Sequence, residues 1–232
     1  RTTAEATIGA LASGYVNAAN LGIPVAVLVL GDAATIAPIL LLQLLVLTPA
    51  TFTVLDAVTR RGNPSRLATL TLPLRNPLLW GVVAGTAANL GGVDLKEWGG
   101  GYPAQGLEML GRVAVPLMML ALGMSLAGAP RPLRKPAPDA PVRGAGRRSA
   151  LWLAVGWKLA VMPGLAVVVG LAAGLSGAQL LTPVVTAALP TAQNVFMYAS
   201  RYGVAKDLAR DAVLLTTAGF VPVVLLAAAI LR

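Results

Sequence analysis

Two clusters of side-chain amides, each beside a proline, interrupt stretches of this chain that are otherwise apolar. The first reads Gly14-Tyr15-Val16-Asn17-Ala18-Ala19-Asn20-Leu21-Gly22-Ile23-Pro24, and the second Ala188-Leu189-Pro190-Thr191-Ala192-Gln193-Asn194-Val195-Phe196. Proline has no N–H and its ring collides with the preceding turn, so a helix is expected to break just ahead of it. Proline is equally suited to open a new helix at its first position. A break inside a low-dielectric region leaves backbone groups unpaired, at roughly several kcal/mol each. The amides of Asn17, Asn20, Gln193 and Asn194 both donate and accept, so they can satisfy that backbone or a bound solute. Half-helices starting at Pro24 and Pro190 would aim their positive dipole ends at the gap, where a carboxylate is favoured. The chemistry that fits is reversible binding of a small anion. A lone proline kink is often only packing, whereas two amide-flanked breaks in the two halves of one chain point to a transport site.

Little other chemistry is available. The chain has no Cys and no His, which excludes disulfides, thiolate nucleophiles, HExxH metal sites and the commonest general base. No GxSxG-like elbow is present, and Ser13 and Ser125 are nucleophile candidates only by exclusion. No enzyme activity, cofactor or metal is therefore expected. The broken motifs hold no carboxylate, which speaks against a proton relay or a carboxylate-based sodium site within them. Lys158 falls well inside an apolar stretch, so it is a candidate for attracting an anion. Snorkelling towards the cytoplasmic surface, or a structural ion pair, is the simpler expectation for it. Glu108 with Arg112, and Asp56 with Arg60, have the i,i+4 spacing of helix ion pairs. Gln43 and Thr48 could bond between helices, and Asp207 and Asp211 suit the start of the last helix.

The elements that must position these residues follow from composition. Of 232 residues 56% are hydrophobic and only 12% charged, too few charges to cover a soluble surface. Apolar runs of about 17–25 residues mark membrane-crossing helices. Seven are expected: Thr7–Gly31 (interrupted), Ala33–Val58 (kinked at Pro49), Pro77–Leu90, Gly106–Ala127, Ser149–Leu175, Gln179–Tyr202 (interrupted) and Leu208–Leu231. These blocks are continuously apolar and lack the alternation of a barrel, so the fold class is an all-α polytopic membrane protein. The net charge of +9 is concentrated in every second connection, namely Arg60–Arg75, Pro130–Arg148 and Arg201–Arg210. The positive-inside rule makes these three cytoplasmic, with the chain's start inside and its end outside, and nucleic acid is not an expected partner. The segment 130–148 reads as a flexible basic loop within one membrane domain. No signal peptide is visible ahead of the first apolar block.

At these residues the chain resembles the auxin efflux carrier family of bacterial and plant permeases, related to the bile acid:sodium symporters. The resemblance rests on NAANLGIP, on LPTAQNVFMYASRYG, and on AVPLMMLALGMSLAG around Pro116, in the expected order along the whole chain. It implies a ten-helix fold of two inverted five-helix repeats, in which the fourth and ninth helices are broken and cross. On that pattern the chain holds helices four to ten, with 1–58 ending the first repeat and 77–232 forming the second. The family's functional positions would carry over to Asn17, Asn20, Pro24, Pro190, Gln193 and Asn194, with Thr191 inside the second motif. The implied function is a permease for a small organic anion, such as a carboxylate or an auxin-like acid, in the bacterial plasma membrane. A sodium-coupled symporter and a non-transporting membrane scaffold are the alternatives. Membrane lipids surround such a protein, and a homodimer is one assembly this reading allows.

Overall fold

The computed structural model describes residues 2–59, 77–94, 97–124 and 143–231. Among them the regular structure is helical, with no β-strand beyond one isolated bridge. In chain order the helices are α1 (Thr3–Gly14), α2 (Ala18–Leu30), α3 (Ala34–Thr59), α4 (Pro77–Leu90) and α5 (Tyr102–Met124). Next comes α6, which runs through Arg143–Gly156, Trp157–Val161 and Met162–Ala172. The last three are α7 (Gly177–Ala188), α8 (Gln193–Tyr202) and α9 (Lys206–Leu231). Among the described residues three helical stretches, Ala34–Thr59, Arg148–Ala172 and Lys206–Leu231, are long and apolar enough to cross a membrane. Ala18–Leu30 and Gly177–Ala188 are shorter apolar helices. The protein is an all-α polytopic membrane protein.

Local sequence explains where the helices start and stop. Thr2 and Glu5 form a capping box: the Glu5 N–H donates to Thr2 Oγ1 at 3.2 Å, and the Thr2 N–H donates to Glu5 Oε2 at 3.1 Å. α2 ends at Gly31, whose φ of +80° is a left-handed cap that glycine adopts without strain. Asp32 then accepts from the Ala34 N–H at 2.8 Å and opens the next helix. Gly203, at φ +69°, closes α8 in the same way.

Three of the prolines inside the helices follow widened turns, whereas Pro183 and Pro222 lie within regular α-helix. The π turns Ala18–Gly22, Gln43–Leu47 and Trp157–Val161 each end two residues before a proline, at Pro24, Pro49 and Pro163. In each, the residue just before the proline donates to a carbonyl five residues back: Ile23 to Ala18, Thr48 to Gln43 and Met162 to Trp157. In an α-turn the proline ring would strike the carbonyl four residues back, and the wider turn moves that carbonyl aside. The helix therefore passes Pro24 and Pro49 without breaking, where the sequence predicts a break and a kink.

The chain forms two compact units, Arg1–Leu40 with Ser125–Arg232, and Leu41–Met124. In the first, Val16, Ala18, Ala26, Ile36 and Leu189 form one apolar cluster, and Leu181, Val185, Ala188, Phe220 and Val224 another. Large apolar side chains such as Leu28, Leu153, Val169 and Leu225 are exposed, whereas Lys158, Thr191, Asp211 and Thr216 are buried. That inside-out distribution suits a hydrocarbon surround and would be costly in water. In the second unit Gln43, Thr48, Thr51, Phe52 and Leu55 are buried. The basic segment 60–75 and most of the 130–148 loop lie outside the described residues, but the end of that loop is helical, since α6 starts at Arg143. Arg60, and the side chain of Arg112, also lie outside them.

Candidate functional site

The two interrupted segments meet at their interruptions. α1 ends at Gly14 and α2 begins at Ala18, leaving Tyr15, Val16 and Asn17 between them. α7 ends at Ala188 and α8 begins at Gln193, leaving Leu189 to Ala192. The two gaps run antiparallel and form a bridge between Val16 and Thr191. The Asn17 N–H donates to the Pro190 carbonyl at 2.8 Å, and the Ala192 N–H donates to the Tyr15 carbonyl at 3.0 Å. Each gap thus satisfies backbone that the other leaves open, which is how two breaks survive in an apolar setting.

Two threonines complete the join. The Thr191 hydroxyl donates to the Ala12 carbonyl, in the last turn of α1, at 2.6 Å. The Thr191 N–H donates to Thr216 Oγ1 on α9 at 3.0 Å, and that hydroxyl donates to the Ala212 carbonyl at 2.7 Å. Both threonines are fully buried. The negative end of α1 is therefore partly quenched by protein donors, whereas the positive ends of α2 and α8 are not capped by their own side chains.

The structure sorts the residues expected at this site. Asn17 is 3% exposed, and its Nδ2 has no hydrogen-bond partner among the described residues. Pro190, Thr191 and Gln193 are buried at the join, and Asn194 is half-buried at the first turn of α8. Asn20 is half-buried on the first turn of α2. Pro24 lies further along α2 on an exposed face, so the first break sits at Tyr15–Asn17 and not at the proline. The second break does sit at its proline, with α8 starting three residues later, at Gln193.

Lys158 does not snorkel, and among the described residues it is not ion-paired. Its side chain is 0% exposed, on the π turn Trp157–Val161, and its Nζ donates only to the Met162 sulfur, at 3.6 Å, among the described residues. Asp211, in the second turn of α9, is buried against Arg210, whose Nε donates to its Oδ1 at 2.8 Å. Asp207, in the first turn of α9, lies 3.3 Å from the same guanidinium. The Ser13 hydroxyl donates to the Gly9 carbonyl at 2.9 Å, and Ser125 lies outside the described residues.

Two contributors escape sequence reasoning. Thr216 looks like any hydroxyl in an apolar helix, and only its place in a Thr-Thr pair sets it apart. Tyr15 meets Tyr198 edge to face, with ring centroids 6.2 Å apart, and so braces α8 against the first break.

Comparison with known proteins agrees with this architecture. Residues 65–228 match the family described as membrane transport protein. A protein of Rhizobium meliloti (strain 1021) named "Putative malonate transporter" is 30% identical over 228 residues, covering 93% of this chain and 64% of that relative. The chain thus spans a little under two thirds of the relative's length. The match takes in α7, α8 and the second break, and the relative's alignment extends over nearly all of the chain. The chain belongs to the membrane transport protein family of the auxin efflux carrier type.

Proposed function

We propose that this protein is a permease for a small organic carboxylate, not an enzyme, and that the carboxylate binds where the two broken segments cross. The observation that carries the reading is Asn17: a buried amide donor without an acceptor among the described residues, at the start of one of two helices whose N-termini meet. Such a donor is costly to bury unless something accepts from it, and a carboxylate oxygen is the acceptor that the neighbouring positive helix ends also favour. Gln193, Asn194 and Asn20 lie within the first turns of the same two helices and supply further amides. Binding replaces hydration with these fixed dipoles, and transport exposes the crossing first to one side of the membrane and then to the other. The bacterial plasma membrane is the proposed location. Malonate heads the candidate solutes because of the relative's name.

The test is uptake and binding of labelled malonate and a carboxylate panel by the full-length protein in liposomes, with Asn20→Ala and Asn194→Ala alongside the parent. Each lost hydrogen bond to a charged group should weaken binding about 10- to 100-fold. If both variants bind and transport like the parent, the crossing is not the site. Running the assay with and without a sodium gradient separates a sodium-coupled symporter from a permease that needs none.

A further inference from the structure

Lys158 poses a problem that the crossing alone does not answer. A charged ammonium removed from water costs about several kcal/mol unless a partner compensates, and its one partner among the described residues, a thioether sulfur, is a weak acceptor. The turn that carries it packs on α1, α7 and α9. α1 brings only Glu5, exposed in its first turn, and α7 has no charged residue. α9 brings Lys206, Asp207, Arg210 and Asp211, all in its first two turns, with Arg210 between the two carboxylates. No acidic side chain of these helices is paired with Lys158 among the described residues.

The position of the turn suggests where a counter-ion would come from. Leu159, next to Lys158, fills the space beside Gly219: a Cβ added there would lie 2.5 Å from Leu159 Cδ1. Gly219 is three residues from Thr216, on the same face of α9, and Thr216 accepts from Thr191 at the crossing. α1 and α7, the other helices against this turn, are the two that end in the breaks. Lys158 is thus enclosed by the helices that frame the crossing, on a flexible four-carbon stem. Arg210, the other buried cation of this unit among the described residues, is already held by carboxylates.

We propose that Lys158 is a specificity-determining residue, pairing with the second carboxylate of a dicarboxylate whose first carboxylate sits at the crossing. This rests on the reading of the crossing as a carboxylate site, and deepens it. The crossing supplies amides and helix ends, enough for one carboxylate; the ammonium adds a full charge, so a dianion gains over a monoanion of the same size.

The experiment compares malonate with malonamate, its monoamide, at a pH where malonate is a dianion, by calorimetric titration of the full-length protein. The parent should prefer malonate by about 30-fold or more, the lower end for removing one member of a buried charge pair. In Lys158→Gln that ratio should collapse to within about threefold, because malonate loses affinity while malonamate keeps its own. Lys158→Arg should restore most of the preference, and Lys158→Met provides a second uncharged variant should glutamine disturb folding. An unchanged ratio in folded Lys158→Gln or Lys158→Met, or an equal loss for both ligands, overturns the assignment. Equal binding of both ligands by the parent overturns it too while leaving the carboxylate site standing. Binding of neither ligand by the parent removes the carboxylate site and this assignment together.

Discussion

Asn17 does two jobs with different chemistry. Its backbone N–H, bonded to the Pro190 carbonyl, helps to join the two breaks, while its side-chain amide is buried with a donor unpaired among the described residues. The amides could be picked out from sequence because such groups are expensive in an apolar stretch and rare without a purpose. Thr216 could not, because a hydroxyl in a membrane helix ordinarily bonds back to its own helix, as Thr216 also does to Ala212. Its second bond, to the Thr191 N–H, joins positions 25 residues apart and depends on packing that no local pattern encodes. Thr216→Val keeps the shape but leaves that buried N–H without its acceptor. It should destabilise the protein by about 1–3 kcal/mol, read as a lower melting temperature in detergent, while Thr216→Ser stays near the parent. Equal stability of all three would mean that the Thr191–Thr216 bond contributes nothing.

At the scale of helices, proline identifies where the ladder is disturbed, but not how. The sequence places both breaks at prolines, and for Pro190 that is where the break falls, whereas Pro24, Pro49 and Pro163 each follow a π turn that lets the helix continue. A break needs another strand of backbone to satisfy it, and Val16 and Thr191 supply one another; Pro24, on an exposed face, has no such partner and takes the wider turn. That choice is tertiary, so it was not readable from the motif. It also fixes the rotation of Lys158, because gaining or losing one residue in a turn rotates what precedes it by about 100°. Pro163→Ala removes the ring that demands the wide turn. With no native cysteine in the chain, Lys158→Cys can be labelled cleanly in either background. Labelling by a small thiol reagent should be slow beside Pro163 and several-fold faster beside alanine; equal rates would show that proline does not hold the turn open.

The whole molecule is organised by its solvent. Apolar side chains such as Leu28 and Leu225 lie outside and polar ones are gathered within, which is why composition and the spacing of apolar blocks were enough to establish the fold class. The crossing was legible in part: its two motifs stand out, yet only the folded chain shows that residues near 17 and near 191 touch, inside one compact unit. That long-range join turns two disturbed helices into one site, and Asn17 is its most exacting residue. Calorimetric titration of malonate and related carboxylates into the full-length protein and its Asn17→Ala variant, with the melting temperature of each recorded, tests this most directly. Because the deleted amide nitrogen has no partner among the described residues, the variant should melt within about 2 °C of the parent, while carboxylate affinity falls at least about tenfold. A variant that binds as tightly as the parent, or one that loses affinity only because it no longer folds, would contradict the account.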